Sequence, residues 1–349
     1  MSKLNVCVLF GGVSPEHAVS CSTAKNVIDN LEKEKYNVFP LGITKEGKWL
    51  LYTSGATENL TNGTWQNLAK PAHISPDSII HGIVMDDKTI HIDVVYIALH
   101  GSNGEDGTVQ GLLELADIPY SGPRILGSAL CMNKDTARVM LKSAGVDSVK
   151  YISVLKEEMC NEAAVLDRVT NDFELPVFVK PSNCGSSVGA GRADTSKDVI
   201  PAIKHALEFD HTALIEEFID AREFECAVIG NDELITSHVG EVFTDNTFYD
   251  YEAKYVAGMA NIQIPAELTA DETSAIQNLA KKAYSALDLK GLCRIDFFID
   301  KKTGRVILNE LNTLPGCTPS SAFPVLFEKT GIPFSEVLDK VIDYALELR

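Results

Sequence analysis

Apolar positions along the chain follow two periods in turn. Residues 6–10 form a continuous apolar run, the pattern of a strand covered on both faces, and Gly11-Gly12 turns it. Ser14 followed by Pro15 predicts an N-cap and first position of a helix. Cys21, Ala24, Ile28 and Leu31 then keep helical spacing, which puts one face of that helix on a sheet. Residues 37–43 and 94–99 read as further strands and 108–116 as a short helix. Strands alternating with helices predict a mainly parallel sheet in an α/β unit over residues 1–123.

A second unit, residues 124–217, starts with a helix over 133–144 closed by Gly145. A strand over 149–154 and a helix over 157–170 follow. The strand 176–180 delivers a polar, glycine-rich loop over 181–191. A helix from Ser196 to about 209 and a strand over 213–218 complete the unit. The third unit, 218–349, opens with strands 223–229 and 234–243, an antiparallel hairpin turned at 230–233. Residues 244–258 have no clean period, and a stretch of that length is usually a functional loop or lid. Thr269 and Glu272 form a capping box that opens a helix to about 287. Strands over 292–299 and 305–311 are joined at Lys301-Lys302-Thr303-Gly304.

Composition narrows the function class. The 349 residues are 45% hydrophobic and 23% charged, which is ordinary for a folded globular chain. The apolar runs are far shorter than the roughly 20 residues a membrane span needs, and residues 1–5 lack a signal-peptide core, so a cytoplasmic location is expected. A net charge of −18, with no large Lys/Arg cluster, argues against nucleic acid as partner. The eight cysteines show no C-x-x-C spacing and read mostly as reduced core thiols.

Four segments carry candidate chemistry. In Arg294-Ile295-Asp296 and Asn309-Glu310-Leu311-Asn312, alternate residues share a strand face, so Arg294, Asp296, Glu310 and Asn312 can project from one side of a hairpin. Their hard oxygens suit magnesium in contact with substrate phosphates, and Arg294 suits an oxyanion. An ordinary charged sheet face is the alternative, but the flanking strands are apolar and run into Leu314-Pro315-Gly316. Lys180, with Ser186 and Ser187 in Gly185-Ser186-Ser187-Val188-Gly189, forms a phosphate cradle that lacks the P-loop order. Glu16 sits at a helix start, where it could meet a substrate ammonium or simply favour the helix dipole. His100 opens Gly101-Ser102-Asn103-Gly104-Glu105-Asp106, beyond a strand end where α/β proteins bind ligands. Asn103, Glu105 and Asp106 could suit calcium, but the EF-hand order is missing.

In this order the four segments resemble D-alanine–D-alanine ligases of the ATP-grasp superfamily, from Gly11 to Ser321. The resemblance implies an α/β, three-domain ATP-grasp fold. It implies ATP-dependent joining of two D-alanines through a D-alanyl phosphate, for peptidoglycan. Glu16 then resembles the acid that holds the first ammonium, with His100 beside that substrate. Glu16, Ser186 and Tyr255 resemble the trio that fixes the substrate pocket. Lys134 and Lys180 resemble the lysines on the ATP phosphates. Glu216, Glu217 and Ile219 match the adenine segment and Glu223 the ribose acid. Lys254 and Tyr255 match the lid. Arg294 and the Gly316 backbone resemble the oxyanion site, and Ser321 the grip on the second carboxylate. Asp296, Glu310 and Asn312 resemble the ligands of two magnesium ions, for which manganese can substitute. Potassium is a candidate activator, and a homodimer through the first domain is implied.

Two positions depart from that pattern. Ala18 stands where an acid usually repeats on the first helix, and Ala322 where a larger aliphatic residue usually lines the second-substrate pocket. Related resistance ligases join D-alanine to D-lactate or D-serine. Tyr255 is unlike the lactate class, so a D-alanine–D-serine ligase is the alternative within the family. Outside it, an ATP-binding regulatory protein is opposed by the full set Lys180, Arg294, Asp296, Glu310 and Asn312. A nicotinamide-dependent dehydrogenase is opposed by the missing G-x-G-x-x-G.

Overall fold

A computed structural model of the chain describes residues 2–86, 88–185, 188–244 and 260–348. The sequence-predicted Ser186, Ser187, Lys254 and Tyr255, and the lid apart from Thr244, lie outside the described residues.

The first sheet takes strands β1 (Leu4–Gly11), β2 (Tyr36–Ile43), β3 (Trp49–Tyr52), β4 (Ala69–Pro71) and β5 (Val94–Ile97) in the order β4-β3-β2-β1-β5. β1 pairs in parallel with β2 and β5, but β3 and β4 add antiparallel, so the sheet is mixed where a mainly parallel one was expected. Only Thr44 to Lys48 separate β2 from β3, and so short a connection permits a hairpin but not a parallel crossover. Helix α1 (His17–Asn30) covers this sheet with Cys21, Ala24 and Val27. It starts later than Ser14-Pro15 predicted. The Ser14 Oγ accepts the Glu16 N–H at 3.1 Å and the Ser14 carbonyl accepts the His17 N–H, making a turn before the helix proper. Helix α2 (Thr108–Leu115) follows β5.

Helices α3 (Ile125–Met132) and α4 (Lys134–Ser143) lead to a four-stranded sheet. It comprises β6 (Tyr151–Leu155), β7 (Val177–Pro181), β8 (Gly191–Ala193) and β9 (Thr212–Glu217), in the order β8-β7-β9-β6 and antiparallel throughout. Helices α5 (Glu162–Asp172) and α6 (Ser196–Ala206) cover it, and Val165, Val169, Val199 and Ile203 share its core.

The third sheet takes β10 (Ala221–Ile229), β11 (Ile235–Thr244), β12 (Ala260–Gln263), β13 (Leu292–Asp300) and β14 (Val306–Asn312), ordered β12-β11-β10-β13-β14. All its pairings are antiparallel, as the two expected hairpins require. Helix α7 (Ala270–Ala286) covers one face, with Thr269 and Glu272 forming the expected capping box. α3 and α4 contribute Cys131, Ala137 and Leu141 to the core of this sheet. α8 (Ala322–Thr330) and α9 (Phe334–Glu347) share a core with α1, β1 and β5. The first and third sheets are thus welded by shared apolar packing. Among the described residues no helix is long and apolar enough to cross a membrane.

Candidate active site

The third-sheet hairpin brings its four polar residues together. Across β13 and β14, Arg294 faces Asn312 and Asp296 faces Glu310, with a register shift just after Asp296. Arg294 grips Asp296 with a two-pronged contact, Nε to Oδ1 and Nη2 to Oδ2, each at 2.8 Å. Its Nε also lies 3.3 Å from Glu225 Oε1 on β10. Asn312 Nδ2 donates to Asp296 Oδ2 at 3.0 Å.

The fit to magnesium can be tested on this geometry. A carboxylate has about four lone-pair sites, and Asp296 uses three of them, so one stays available to an ion. Two carboxylates facing each other across a strand pair repel unless a cation lies near them. Among the described residues no group of three or more His, Cys, Asp or Glu side chains could hold a metal. Two carboxylates and an amide still suffice for magnesium, which takes much of its shell from phosphate oxygens and water. The residues fit.

Asp296 and Glu310 open into a cleft of about 760 Å³ lined by the second and third sheets. Lys134, Lys180, Glu216, Glu217, Ile219 and Glu223 line it as well. Lys134 reaches the glycine-rich loop directly, its Nζ donating to the Cys184 carbonyl at 2.6 Å. Burial lowers its pKa, against the pull of Glu310. Lys180 Nζ lies 2.9 Å from Glu216 Oε1. The Glu217 carboxylate instead accepts the Lys150 N–H at 2.7 Å and approaches Arg305, so it braces β9 against β6.

A buried cation behind the wall of this cleft that the sequence reading missed is Arg138. It is 3% exposed, and its Nη2 lies 2.7 Å from the same Glu216 oxygen. Its signal was present: it follows Lys134 by four positions on α4, hence on the same helix face, where it interrupts an apolar stripe with Ala137 and Leu141.

Glu16 and His100 meet at the other end of the site. Gly101 has φ +70°, and a Cβ there would lie 2.4 Å from Glu16 Oε2 and 2.6 Å from Ser14 Oγ. His100 donates from Nδ1 to the Leu314 carbonyl at 2.9 Å, and its Nε2 contacts the Thr23 hydroxyl at 2.9 Å. Thr23 in turn accepts the Cys317 N–H at 3.2 Å. Burial lowers the His100 pKa, partly against the pull of Glu16. Glu105 takes the Gly101 N–H at 3.1 Å and the Leu314 N–H at 3.3 Å. Burial, and then the Glu16 carboxylate, push its carboxyl up to about 8. Asp106 accepts the Asn103 and Thr108 N–H groups. Glu105 and Asp106 are thus each engaged by two backbone N–H groups, which orders this loop.

Beyond Leu314, the Gly316 Cα carries no side chain, and a Cβ there would lie 3.1 Å from Ser321 Oγ. Ser321 Oγ accepts the Thr318 N–H at 3.0 Å and pairs with the Thr318 hydroxyl at 2.7 Å. Ala322 opens α8 directly after it.

Substituting Gly101 by alanine tests the close approach to Glu16. The positive φ disfavours a side chain, and the new methyl would displace the carboxylate. If Glu16 anchors a substrate ammonium as the sequence resemblance implies, KM for that substrate is expected to rise about tenfold or more, equivalent to about 1.4 kcal/mol. Steady-state kinetics with that ligand varied is the check; an unchanged KM rejects Glu16 as its anchor.

Comparison with known proteins bears on the whole chain. Residues 5–123 match the family model described as D-ala D-ala ligase N-terminus, and residues 140–343 the one described as D-ala D-ala ligase C-terminus. A curated D-alanine–D-alanine ligase of Caldicellulosiruptor bescii is 46% identical, with 99% of this chain and 96% of that protein covered. That of Acetivibrio thermocellus is 42% identical over the same shares. Among solved structures, the VanG D-Ala:D-Ser ligase from Enterococcus faecalis superposes with a TM-score of 0.90 at 36% identity, covering 99% of this chain and 100% of that one. The D-alanine-D-alanine ligase from Coxiella burnetii gives 0.85 at 30%, covering 99% and 96%.

Proposed function

The chain belongs to the D-alanine–D-alanine ligase family, and we propose that it joins two D-alanines with hydrolysis of ATP to ADP and phosphate. Use of ATP and magnesium comes with the family. The observation that carries the reading is the place of Leu314. Its carbonyl takes His100 and its N–H takes Glu105, two residues after Asn312 of the acidic hairpin. One short loop therefore joins the Glu16 site to the phosphate cleft, which a transfer between an amino acid and ATP needs.

In this reading Glu16 holds the ammonium of the first D-alanine beside His100. Lys134 and Lys180 hold the ATP phosphates while the first carboxylate attacks the terminal phosphorus, the bond to the bridging oxygen breaks and ADP leaves. Arg294 and the Gly316 N–H take the negative charge that forms when the second amine attacks the acyl phosphate. Ser321 grips the second carboxylate. Glu216, Glu217 and Ile219 form the base segment, Glu217 through its backbone, and Glu223 meets the ribose. When bound, magnesium at Asp296, Glu310 and Asn312 supplies charge neutralisation on the phosphates. Two ions, manganese as a substitute, assistance by potassium and a homodimer through residues 1–123 belong to the same reading. So do domains at 1–123, 124–217 and 218–349, and the roles expected of Ser186, Ser187, Lys254 and Tyr255.

A D-alanine–D-serine or other D-alanine–D-X ligase is the second reading; the fit to the VanG ligase supports the former, and the small Ala322 beside Ser321 leaves room for a larger second amino acid. Phosphate release with D-alanine alone, and product mass with D-serine added, separate the two. Turnover with D-alanine alone supports the first. Turnover that needs D-serine overturns it.

A further inference from the structure

Arg138 and Lys180 converge on a single buried acid, Glu216. The carboxylate is 4% exposed, yet it lines the cleft beside the apolar side chains of Val149, Phe178, Val188 and Ile219. Apolar side chains lining a cleft together with a buried carboxylate suit a heterocycle that donates an N–H from an amino group. Such an acceptor is useful only while it stays ionised and fixed in place. Lys180 is exposed to the cleft, so a nucleotide phosphate entering beside it competes with Glu216 for its ammonium. Arg138 is differently placed. It lies behind Glu216, outside the cleft lining, with its guanidinium carbon 4.8 Å from the Tyr151 ring centre. A ligand cannot take it away.

We propose that Arg138 is a positioning residue that keeps the Glu216 carboxylate charged and aimed into the cleft when phosphate draws on Lys180, and so sets the preference for an amino-bearing purine. The inference rests on the nucleotide-binding part of the proposed function. Both short cation contacts fall on Glu216 Oε1, at 2.7 Å from Arg138 and 2.9 Å from Lys180, so the second oxygen is the one offered to a base. Burial is the largest influence and works to raise the Glu216 pKa, but Arg138 and Lys180 together outweigh it, and the net shift is downward. A carboxylate buried with two cations tolerates the partial loss of one; with Lys180 alone it does not. Arginine suits the task because its charge is permanent and its planar group stacks on Tyr151.

The test is calorimetric binding of Mg-ADP and Mg-IDP to the full chain, which requires no ligase turnover. The two differ in the purine amine, which inosine diphosphate replaces with an oxo group. Wild type is expected to favour ADP by about tenfold or more. Arg138→Met is expected to lose most of that preference by weakening ADP and leaving IDP within about threefold. Arg138→Lys should retain much of it. Arg138→Met with Glu216→Gln should bind ADP no more weakly than Glu216→Gln alone, because residues that act through one another are not additive. This neutral pair also removes the uncompensated buried charge, so it stays readable where Arg138→Met alone fails to fold. Equal weakening of ADP and IDP by Arg138→Met, or additive losses in the double variant, overturns the role of Arg138. Absence of any ADP preference in the wild type overturns it as well. Failure of the D-alanine assay with the preference intact would instead count against the amino-acid substrates alone.

Discussion

Glu310→Gln is expected to lower ADP formation at saturating ATP and D-alanine by about 10³-fold, with thermal unfolding of the free protein almost unchanged. The substitution keeps shape and removes one charge. Glu310 faces Asp296 directly across β13 and β14, so the free hairpin loses a repulsion along with the Glu310 attraction to Lys134. Those effects oppose each other in the empty site. With nucleotide and magnesium present they no longer cancel, because the ion loses one of two carboxylates. Nucleotide-linked stabilisation should therefore shrink in the variant, and a melting series with and without Mg-ADP reads it directly. A variant that keeps more than a tenth of the wild-type rate, or an undiminished magnesium-dependent melting shift, would remove Glu310 from the metal site.

The legibility of this hairpin in sequence has a simple cause. Period-two alternation decides which residues share a face, and both strands have the required length, so Arg294, Asp296, Glu310 and Asn312 could be grouped before any pairing was known. Local signals likewise gave the Thr269 capping box and the helix from Lys134, capped by Asn133 through the Thr136 N–H. What was not legible depends on partners distant in the chain. Glu105 looked like a loop acid, and only its approach to Leu314, more than two hundred positions away, shows that it bridges two sheets. Arg138 can be placed on the Lys134 face of its helix from spacing alone, but its partners Glu216 and Tyr151 lie elsewhere in the chain and are not legible there. The late start of α1 was hidden for another reason. Ser14 can cap a helix or bond within its own turn, and the sequence does not separate these uses.

Arg294 carries the second large effect, because two demands fall on one side chain. Arg294→Met removes the guanidinium that contacts both Asp296 and Glu225, and removal of one partner from a buried ion pair costs about 3–5 kcal/mol. That variant is expected to unfold at lower temperature and to have no measurable turnover. Neither result alone separates catalysis from folding. Arg294→Lys does so. An ammonium keeps the positive charge among the acids but cannot reproduce the two-pronged contact with Asp296, both prongs at 2.8 Å. Charge balance should hold the unfolding temperature close to that of the wild type. The forming oxyanion loses a donor of fixed direction, so kcat should fall by about 10²-fold with KM for ATP nearly unchanged. Removal of an interaction made only in the transition state gives that split, whereas loosened packing would raise KM and lower the melting temperature together. A lysine variant with unchanged kcat would leave Arg294 as the counter-ion of Asp296 and Glu225, and would put the oxyanion's stabilisation on the backbone around Gly316.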